Sequence, residues 1–177
     1  LTMMKKTLRT GKIFTVNFLI VLSLFSCNTT QDVTKPSGDA TYQLSQQNVD
    51  AVLWTATSAE MHYASIQAYD LASLKLRAKL NNDYSKPMAV VMDLDETVLD
   101  NSPYMFNQTA KGKTFDGDSW YEWCMEASAG LLPGAFEFIK KCEALDVEVY
   151  FISNRGIETL SGTLDNLQKL DIKTGEE

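Results

Sequence analysis

The chain has 177 residues, 45% of them hydrophobic, and a formal net charge of −7 at pH 7. This length can bury one modest hydrophobic core. The first 26 residues contribute four basic charges and no acidic one, which leaves −11 on the remainder. A folded part this acidic repels phosphate backbones and anionic headgroups, so the composition argues against nucleic acid or anionic lipid as its partner.

The N-terminus is typical of a targeting segment. Basic residues precede the apolar run from Ile13 to Phe25, which is too short for a comfortable membrane span. The run leads into Leu24-Phe25-Ser26-Cys27, which resembles a bacterial lipobox, in which the cysteine is acylated and becomes the new N-terminus. We therefore predict a lipoprotein signal peptide over residues 1–26 and a lipid anchor on Cys27. The alternative is an ordinary signal peptide with an incidental cysteine.

The predicted destination is the bacterial cell envelope. Asn28 follows the cysteine, whereas an aspartate there would be the usual signal for retention in the inner membrane. This favours the outer membrane. Residues rich in Ser, Thr, Gln, Pro and Gly come next, so we predict that the lipidated cysteine and a flexible tether occupy residues 27–44.

Residues 45–80 contain neither proline nor glycine, and their apolar side chains recur mostly at three- and four-residue steps. This pattern predicts one long amphipathic helix or two shorter helices. The single histidine, His62, lies in this stretch, where contact with a neighbouring side chain is its expected role. With one histidine so placed, catalytic triads that depend on histidine are excluded.

Two apolar stretches predict the strands of a parallel sheet. Met88 to Met92 is apolar throughout, as a central parallel strand should be, and Val147 to Ile152 forms the second strand. A loop-rich insert over residues 100–119 follows the first strand. Three helices are also predicted: Trp120 to Ala127, Ala135 to Cys142, and Glu158 to Leu170. The resulting order of strand, two helices, strand and helix predicts an α/β fold with a parallel sheet.

Cys124 and Cys142 remain if Cys27 carries lipid. An exported compartment permits a disulfide between them, and two buried free thiols are the alternative. The chain has no Cys-x-x-Cys pair or Cys/His cluster that would suggest a zinc site.

Polar side chains follow both predicted strands where each ends. Asp93 and Asp95 come directly after the first strand, and Ser153 ends the second. In an open α/β sheet the carboxyl ends of the strands form the ligand site, so these groups should share one rim. Asp93 and Asp95 are two positions apart, so they lie on one face of the strand and repel each other. A magnesium ion or a phosphoryl transfer would explain why two acids are placed there. One acid can serve as nucleophile and the other as general acid and base, while a hydroxyl and backbone amides hold the phosphate.

Asp93-Leu94-Asp95-Glu96-Thr97 resembles the first motif of the haloacid dehalogenase (HAD) superfamily, and Phe151-Ile152-Ser153-Asn154-Arg155 resembles its second. Over residues 27–170 the chain is similar to the class C acid phosphatases, bacterial lipoproteins that act on nucleoside monophosphates and related esters. Further segments share this similarity: Asp93 to Tyr104, Phe115-Asp116-Gly117 with Trp120 and Trp123, and Pro133-Gly134-Ala135. The resemblance implies a Rossmann-like HAD sheet with a long N-terminal helix and a small helical cap insert.

The resemblance also implies a role for each matching residue. Asp93 would be the nucleophile, forming an aspartyl-phosphate, and a Mg²⁺ ligand. Asp95 would be the general acid and base, with its backbone carbonyl on the metal. Ser153 and the Asn154 amide would hold the phosphoryl oxygens, and Trp120 would lie against the substrate's ring.

Several alternatives stay open at this point. Trp120 and Trp123 are three residues apart on a predicted helix, a spacing that core packing also explains. Asp100, Asn101 and Arg155 are implied to support the site, although Arg155 could equally be a surface residue. Protein phosphatases of the same superfamily, which act on phosphoserine, also carry the first motif, but the lipobox and the tryptophan-bearing insert argue against them.

The superfamily has a third motif, a phosphate-neutralising lysine, and a fourth, an acidic pair that completes the magnesium shell. Neither is matched before the chain stops, since Lys169, Lys173 and Asp171 do not fit their positions. We therefore expect residues 45–177 to be the N-terminal two thirds of a HAD-like phosphatase domain without its late strands. Because the lysine and the acidic pair are unmatched, we expect this chain to bind magnesium weakly and to turn over substrate very slowly. The alternative function is a truncated surface lipoprotein with weak or no catalysis that acts as a binding protein.

Overall fold

A computed structural model of the protein describes residues 38–82 and 85–175. The predicted signal peptide and Cys27 lie outside the described residues. Helix α1 spans Gly38–Gln47, so the tether predicted over residues 27–44 is wrong for residues 38–44. Ser45 is fully buried and its hydroxyl donates to the Tyr42 carbonyl at 2.7 Å, while α1 packs on the rest of the domain, which stabilises a helix in a polar sequence.

The predicted helical region forms two helices, α2 at Val49–Thr57 and α3 at Ala59–Leu80. They are separated at Ser58, whose backbone is extended and whose side chain accepts a hydrogen bond from the Met61 amide. Ser58 is therefore the N-cap of α3. The two-helix alternative is thus the observed one.

The central pairing is parallel, as predicted. Strand β1 spans Ala89–Met92 and pairs with β4, Glu148–Phe151, in a register that places Met92 opposite Phe151. A second, antiparallel pair joins β2, Leu99–Asp100, to β3, Gly130–Leu131. The carboxyl ends of β1 and β4 therefore lie side by side.

The insert between β1 and β4 is helical. Helix α4 spans Ser102–Ala110 and α5 spans Gly117–Glu126. The loop predicted over residues 100–119 is therefore wrong for α4 and for the first three residues of α5. Pro103 in the first turn and Gly112, with a φ of 68°, just beyond the last turn are the signals that mark this helix in the sequence.

Helix α6 spans Ala135–Ala144, and a 3₁₀ turn at Ile157–Thr159 leads into α7, Leu160–Lys169. Helix α6 packs against α3 and β4, and α7 packs against α5. The core under the sheet is apolar and well buried, and it includes Leu76, Met92, Val98, Leu99, Phe138, Ile139, Val147 and Leu167.

The two faces of the parallel pair differ in their cover. Val90, Met92, Val149 and Phe151 point to the core side. On the opposite face, Val91 is 61% exposed, and Tyr150 and Ile152 are similarly open.

Cys124 and Cys142 are buried free thiols, which excludes the disulfide alternative. Burial raises the pKa of both. None of the helices in the described part of the chain combines the length and apolar character that crossing a bilayer requires.

Candidate active site

The loop that follows β1 is tight, and one carbonyl group accepts several of its backbone hydrogen bonds. The Leu94 carbonyl accepts from the amides of Thr97, Val98 and Leu99, and Glu96 takes a left-handed backbone conformation with a φ of 53°. A non-glycine residue in that conformation costs on the order of 1 kcal/mol, and such strain clusters at functional sites. The loop places Asp93 and Asp95 at the carboxyl end of β1.

The two carboxylates have different environments. Asp93 is exposed, and its Oδ1 accepts from the Leu94 amide at 2.8 Å. The Asp95 side chain is 13% exposed and forms an ion pair with Arg155, whose Nη2 lies 2.7 Å from Oδ1. Asn101 Nδ2 also donates to Oδ1, at 2.9 Å. One carboxylate is therefore open to a reactant, whereas the other is fixed by two partners.

Arg155 is an interior residue rather than a surface one, since its side chain is 4% exposed. Its Nη1 donates to Thr163 Oγ1 at 3.1 Å, and the guanidinium lies 5.4 Å from the centroid of the Trp120 ring. Its backbone amide donates to Ser153 Oγ at 3.1 Å. Arg155 therefore joins α7, the end of β4 and the Asp95 loop.

Asn101 is 1% exposed, and all of its side-chain polar atoms are engaged. Its Nδ2 donates to Asp95 and to Glu96 Oε1, the latter at 3.0 Å, and its Oδ1 accepts from Trp123 Nε1 at 2.9 Å. Desolvation raises the pKa of Glu96, and the Asp95 charge adds to this, while the hydrogen bond from Asn101 opposes it. Asp100 instead accepts from the Ser102 amide at the start of α4.

A cavity of about 650 Å³ opens beside these groups. Asp95, Asn154 and Arg155 form part of its lining, and Trp120 and Phe115 form an aromatic wall. The centroid of the Trp120 ring also lies 5.2 Å from that of Tyr104, so this ring both packs in the domain and lines the cavity. Helix α2 supplies a further wall through Asn48, Ala51, Val52 and Thr55.

The structure brings most predicted site residues to one rim. Met92 pairs with Phe151, and the Ile152 amide donates to the Met92 carbonyl at 2.9 Å. Asp93 therefore directly follows β1, and Ser153 lies two residues beyond β4 at the same edge. Ser153 and Asp93 lie outside the cavity lining, whereas Asn154 belongs to it. The predicted phosphate-holding residues and both acids therefore share the sheet end.

The residues that the sequence did not indicate are Thr163 and the α2 wall. Thr163 lies inside a regular helix, ten residues beyond Ser153 and outside every motif. Its only sequence signal is its place on the inward face of α7. Lys169, by contrast, donates to the carbonyls of Glu126 and Ala127 at the end of α5, so it fills a structural role and does not replace a phosphate-neutralising lysine.

Among residues 38–82 and 85–175, no three acidic, histidine or cysteine side chains are close enough to hold a metal ion. Asp93 offers one free carboxylate, but the Asp95 carboxylate is committed to Arg155 and Asn101. These residues fit a magnesium ion only in part.

Comparison with known proteins agrees with this geometry. The model of the family described as HAD superfamily, subfamily IIIB (acid phosphatase), matches residues 20–177. The chain belongs to this family. The resemblance to acid phosphatases of the HAD superfamily, inferred from the two motifs and the further segments, is thereby confirmed.

Two solved structures of acid phosphatases from this group are similar to the chain. The class C acid phosphatase from Bacillus anthracis with tungstate bound is 39% identical, with a TM-score of 0.71 over 73% of this chain and 54% of that one. A second structure of the Bacillus anthracis enzyme is 40% identical, with a TM-score of 0.70 over 72% of this chain and 54% of that one. The chain therefore spans about half the length of these structures.

A plant protein is also similar. The stem 31 kDa glycoprotein of Glycine max is 28% identical over 87 residues, which are 49% of this chain and 34% of that protein.

Proposed function

We propose that this site hydrolyses phosphate monoesters, with Asp93 as the nucleophile and Asp95 as the general acid and base. The contrast between the two carboxylates is the observation that supports these roles. Asp93 is exposed at the end of β1, whereas Asp95 is held by Arg155 and Asn101. Acids whose surroundings differ in this way can take different parts in one reaction.

The proposed reaction has two steps. A carboxylate oxygen of Asp93 attacks phosphorus, the ester P–O bond breaks, and the leaving oxygen takes a proton from Asp95. Water then attacks the aspartyl-phosphate, Asp95 takes a proton from that water, and phosphate leaves as Asp93 is restored. Dividing hydrolysis into two displacements lowers each barrier.

Ser153 and the Asn154 amide are the proposed contacts for the phosphoryl oxygens. Ser153 Oγ accepts from the Arg155 amide, so its hydroxyl hydrogen remains to be donated. Such donors stabilise the charge that develops on phosphoryl oxygens in the transition state.

Mg²⁺ is the proposed cofactor. Asp93 and the backbone carbonyl of Asp95 would be its ligands, and the ion would offset negative charge on the phosphoryl oxygens. The described residues supply only this part of a shell, so we expect weak binding. Calorimetric titration of the chain with Mg²⁺ checks this, and tight binding that survives Asp93→Asn would contradict it.

Nucleoside monophosphates are the proposed substrates, which would make the protein a 5'-nucleotidase. The aromatic wall of the cavity, with Trp120 beside Phe115, can stack on a planar ring. We expect Trp120→Ala to raise KM for an aromatic ester about tenfold or more, with a smaller change for glycerol phosphate.

Hydrolysis of p-nitrophenyl phosphate by the full chain, with Mg²⁺ present, tests the proposed activity. We expect a slow rate that disappears in Asp93→Asn. Asn107→Ala, which changes an exposed side chain on α4, is the control variant and should keep the wild-type rate. If the wild-type chain binds phosphate esters without any turnover, the alternative of a catalytically inactive binding lipoprotein is supported instead.

Attachment to the cell envelope through lipid on Cys27 remains a proposal, with the outer membrane as its destination. Labelling with a radioactive fatty acid in a bacterial host tests it. We expect the label on the wild-type chain and none on Cys27→Ser. Label that persists in Cys27→Ser would contradict the anchor.

A further inference from the structure

Asp95 receives an unequal set of hydrogen bonds on its two oxygens. Oδ1 accepts from Asn101 Nδ2 at 2.9 Å, from Arg155 Nη2 at 2.7 Å and from Arg155 Nε at 3.1 Å. Among residues 38–82 and 85–175, the single donor to Oδ2 is Arg155 Nε, at 3.1 Å, and Oδ2 shares this donor with Oδ1. Because a carboxylate oxygen has about two lone-pair positions, Oδ1 is saturated, whereas Oδ2 keeps a free position.

We propose, on the basis of the phosphatase function above, that Arg155 and Thr163 are positioning residues that leave Asp95 Oδ2 as the oxygen that exchanges the proton. In the first step the proton on Oδ2 passes to the ester oxygen as the P–O bond breaks. In the second step Oδ2 takes a proton from the attacking water, which restores the first state. Oδ1 keeps its three donors throughout.

Thr163 fixes Arg155 from the side opposite Asp95. The Thr163 hydroxyl donates to the Thr159 carbonyl at 3.0 Å, so its oxygen is left to accept from Arg155 Nη1 at 3.1 Å. Thr163 is 6% exposed and lies on the regular helix α7. Its hydroxyl therefore has one orientation, and the guanidinium is held between a rigid helix and the Asp95 loop.

A merely structural ion pair between the same residues makes a different prediction. If Arg155 only joined α7 to the loop, weakening it would lower the rates of all substrates alike. If it positions the proton-carrying oxygen, the loss should depend on how much protonation the leaving group needs. An alkyl oxygen needs a proton as it leaves, whereas p-nitrophenolate leaves readily without one.

The enzymatic test compares Thr163→Val, which keeps the side-chain shape, with Thr163→Ser, which keeps the hydroxyl. We expect Thr163→Val in the full chain to lower kcat/KM for glycerol phosphate about tenfold and for p-nitrophenyl phosphate about twofold or less. Thr163→Ser should retain the wild-type ratio between the two substrates. Equal losses on both substrates, or no loss on either, would overturn the proposal.

A second measurement does not depend on turnover. The Nε–H signal of Arg155, observed by ¹⁵N NMR and assigned through Arg155→Lys, should be protected from solvent exchange in the wild type and in Thr163→Ser. In Thr163→Val its exchange should be about tenfold faster or more. If the wild-type chain hydrolyses neither ester, the phosphatase function fails, and this signal still decides whether Thr163 holds the Arg155 guanidinium against Asp95. An exchange rate unchanged in Thr163→Val overturns the positioning.

Discussion

The indole Nε1 of Trp123 donates to Asn101 Oδ1 at 2.9 Å, although the two residues are 22 positions apart in the sequence. This bond fixes which end of the Asn101 amide faces the loop after β1. The amide nitrogen must then point to Asp95 and Glu96, to which it donates. A tryptophan on α5 thereby orients an acid at the end of β1.

Replacing Asn101 should weaken the fold as well as the site. In Asn101→Ala the Trp123 indole and Asp95 each lose a partner inside a buried network, which costs about 1–3 kcal/mol. Urea denaturation followed by circular dichroism measures the free energy of unfolding. Asn107→Ala, which removes an exposed amide on α4, is the control and should stay within about 0.5 kcal/mol of the wild type. Equal effects of the two substitutions would contradict the network.

Tyr69 links stability to alkaline pH. Burial raises its pKa from 10.0 to about 12, and its hydroxyl donates to the Thr97 carbonyl. The folded state thus favours the neutral phenol, so its contribution is fully present below pH 10 and is lost as the pH rises toward about 12.

We therefore expect wild type to exceed Tyr69→Phe in stability at neutral pH, and this difference to fall by on the order of 2 kcal/mol toward pH 12. Urea denaturation at several pH values measures it. A difference that stays constant with pH would show that the phenol is not held neutral by the fold.

Gly162 allows α7 to lie close to α5. A Cβ at this position would fall 2.4 Å from the Cys124 carbonyl oxygen and 2.8 Å from Met125 Cα. Both atoms belong to backbone, so Gly162→Ala must push the helices apart, at a cost of about 1–3 kcal/mol. Gly130→Ala is the matched control, because no heavy atom lies within 4 Å of its added Cβ.

Thermal unfolding followed by circular dichroism tests this contact. We expect Gly162→Ala to lower Tm by about 3–10 °C and Gly130→Ala to change it by less than about 2 °C. Since α7 also carries Thr163, the Gly162 variant should lose part of the Arg155 positioning. A Tm for Gly162→Ala equal to the wild-type value would show that the helices adjust freely.

The sequence predicted the parts of the site that are local. Asp93 and Asp95 follow an apolar strand, and Ser153 follows another, so strand order alone placed them on one rim. The role of Arg155 could not be predicted in this way, because its partners Asp95 and Thr163 lie 60 residues before it and 8 residues after it. Those contacts depend on tertiary packing.

The fold shows the same division. The local apolar patterns predicted α6, β1 and β4 within two residues of their bounds, and they predicted the end of α3 but not its start at Ala59. Helices α1 and α4 were not predicted because their polar compositions match those of loops. Packing against other helices of the domain stabilises them where local helix propensity is low.

The aspartyl-phosphate is the most direct test of the proposed chemistry. The full chain is mixed with p-nitrophenyl phosphate and Mg²⁺, quenched in acid, and measured by intact-protein mass spectrometry with peptide mapping. In Asp95→Asn the aspartyl-phosphate should accumulate on Asp93. p-Nitrophenolate needs little protonation to leave, so the first step proceeds, whereas hydrolysis of the aspartyl-phosphate lacks its general base. Asp93→Asn should carry no phosphoryl group. Absence of the adduct from Asp95→Asn, or its presence in Asp93→Asn, would contradict Asp93 as the nucleophile.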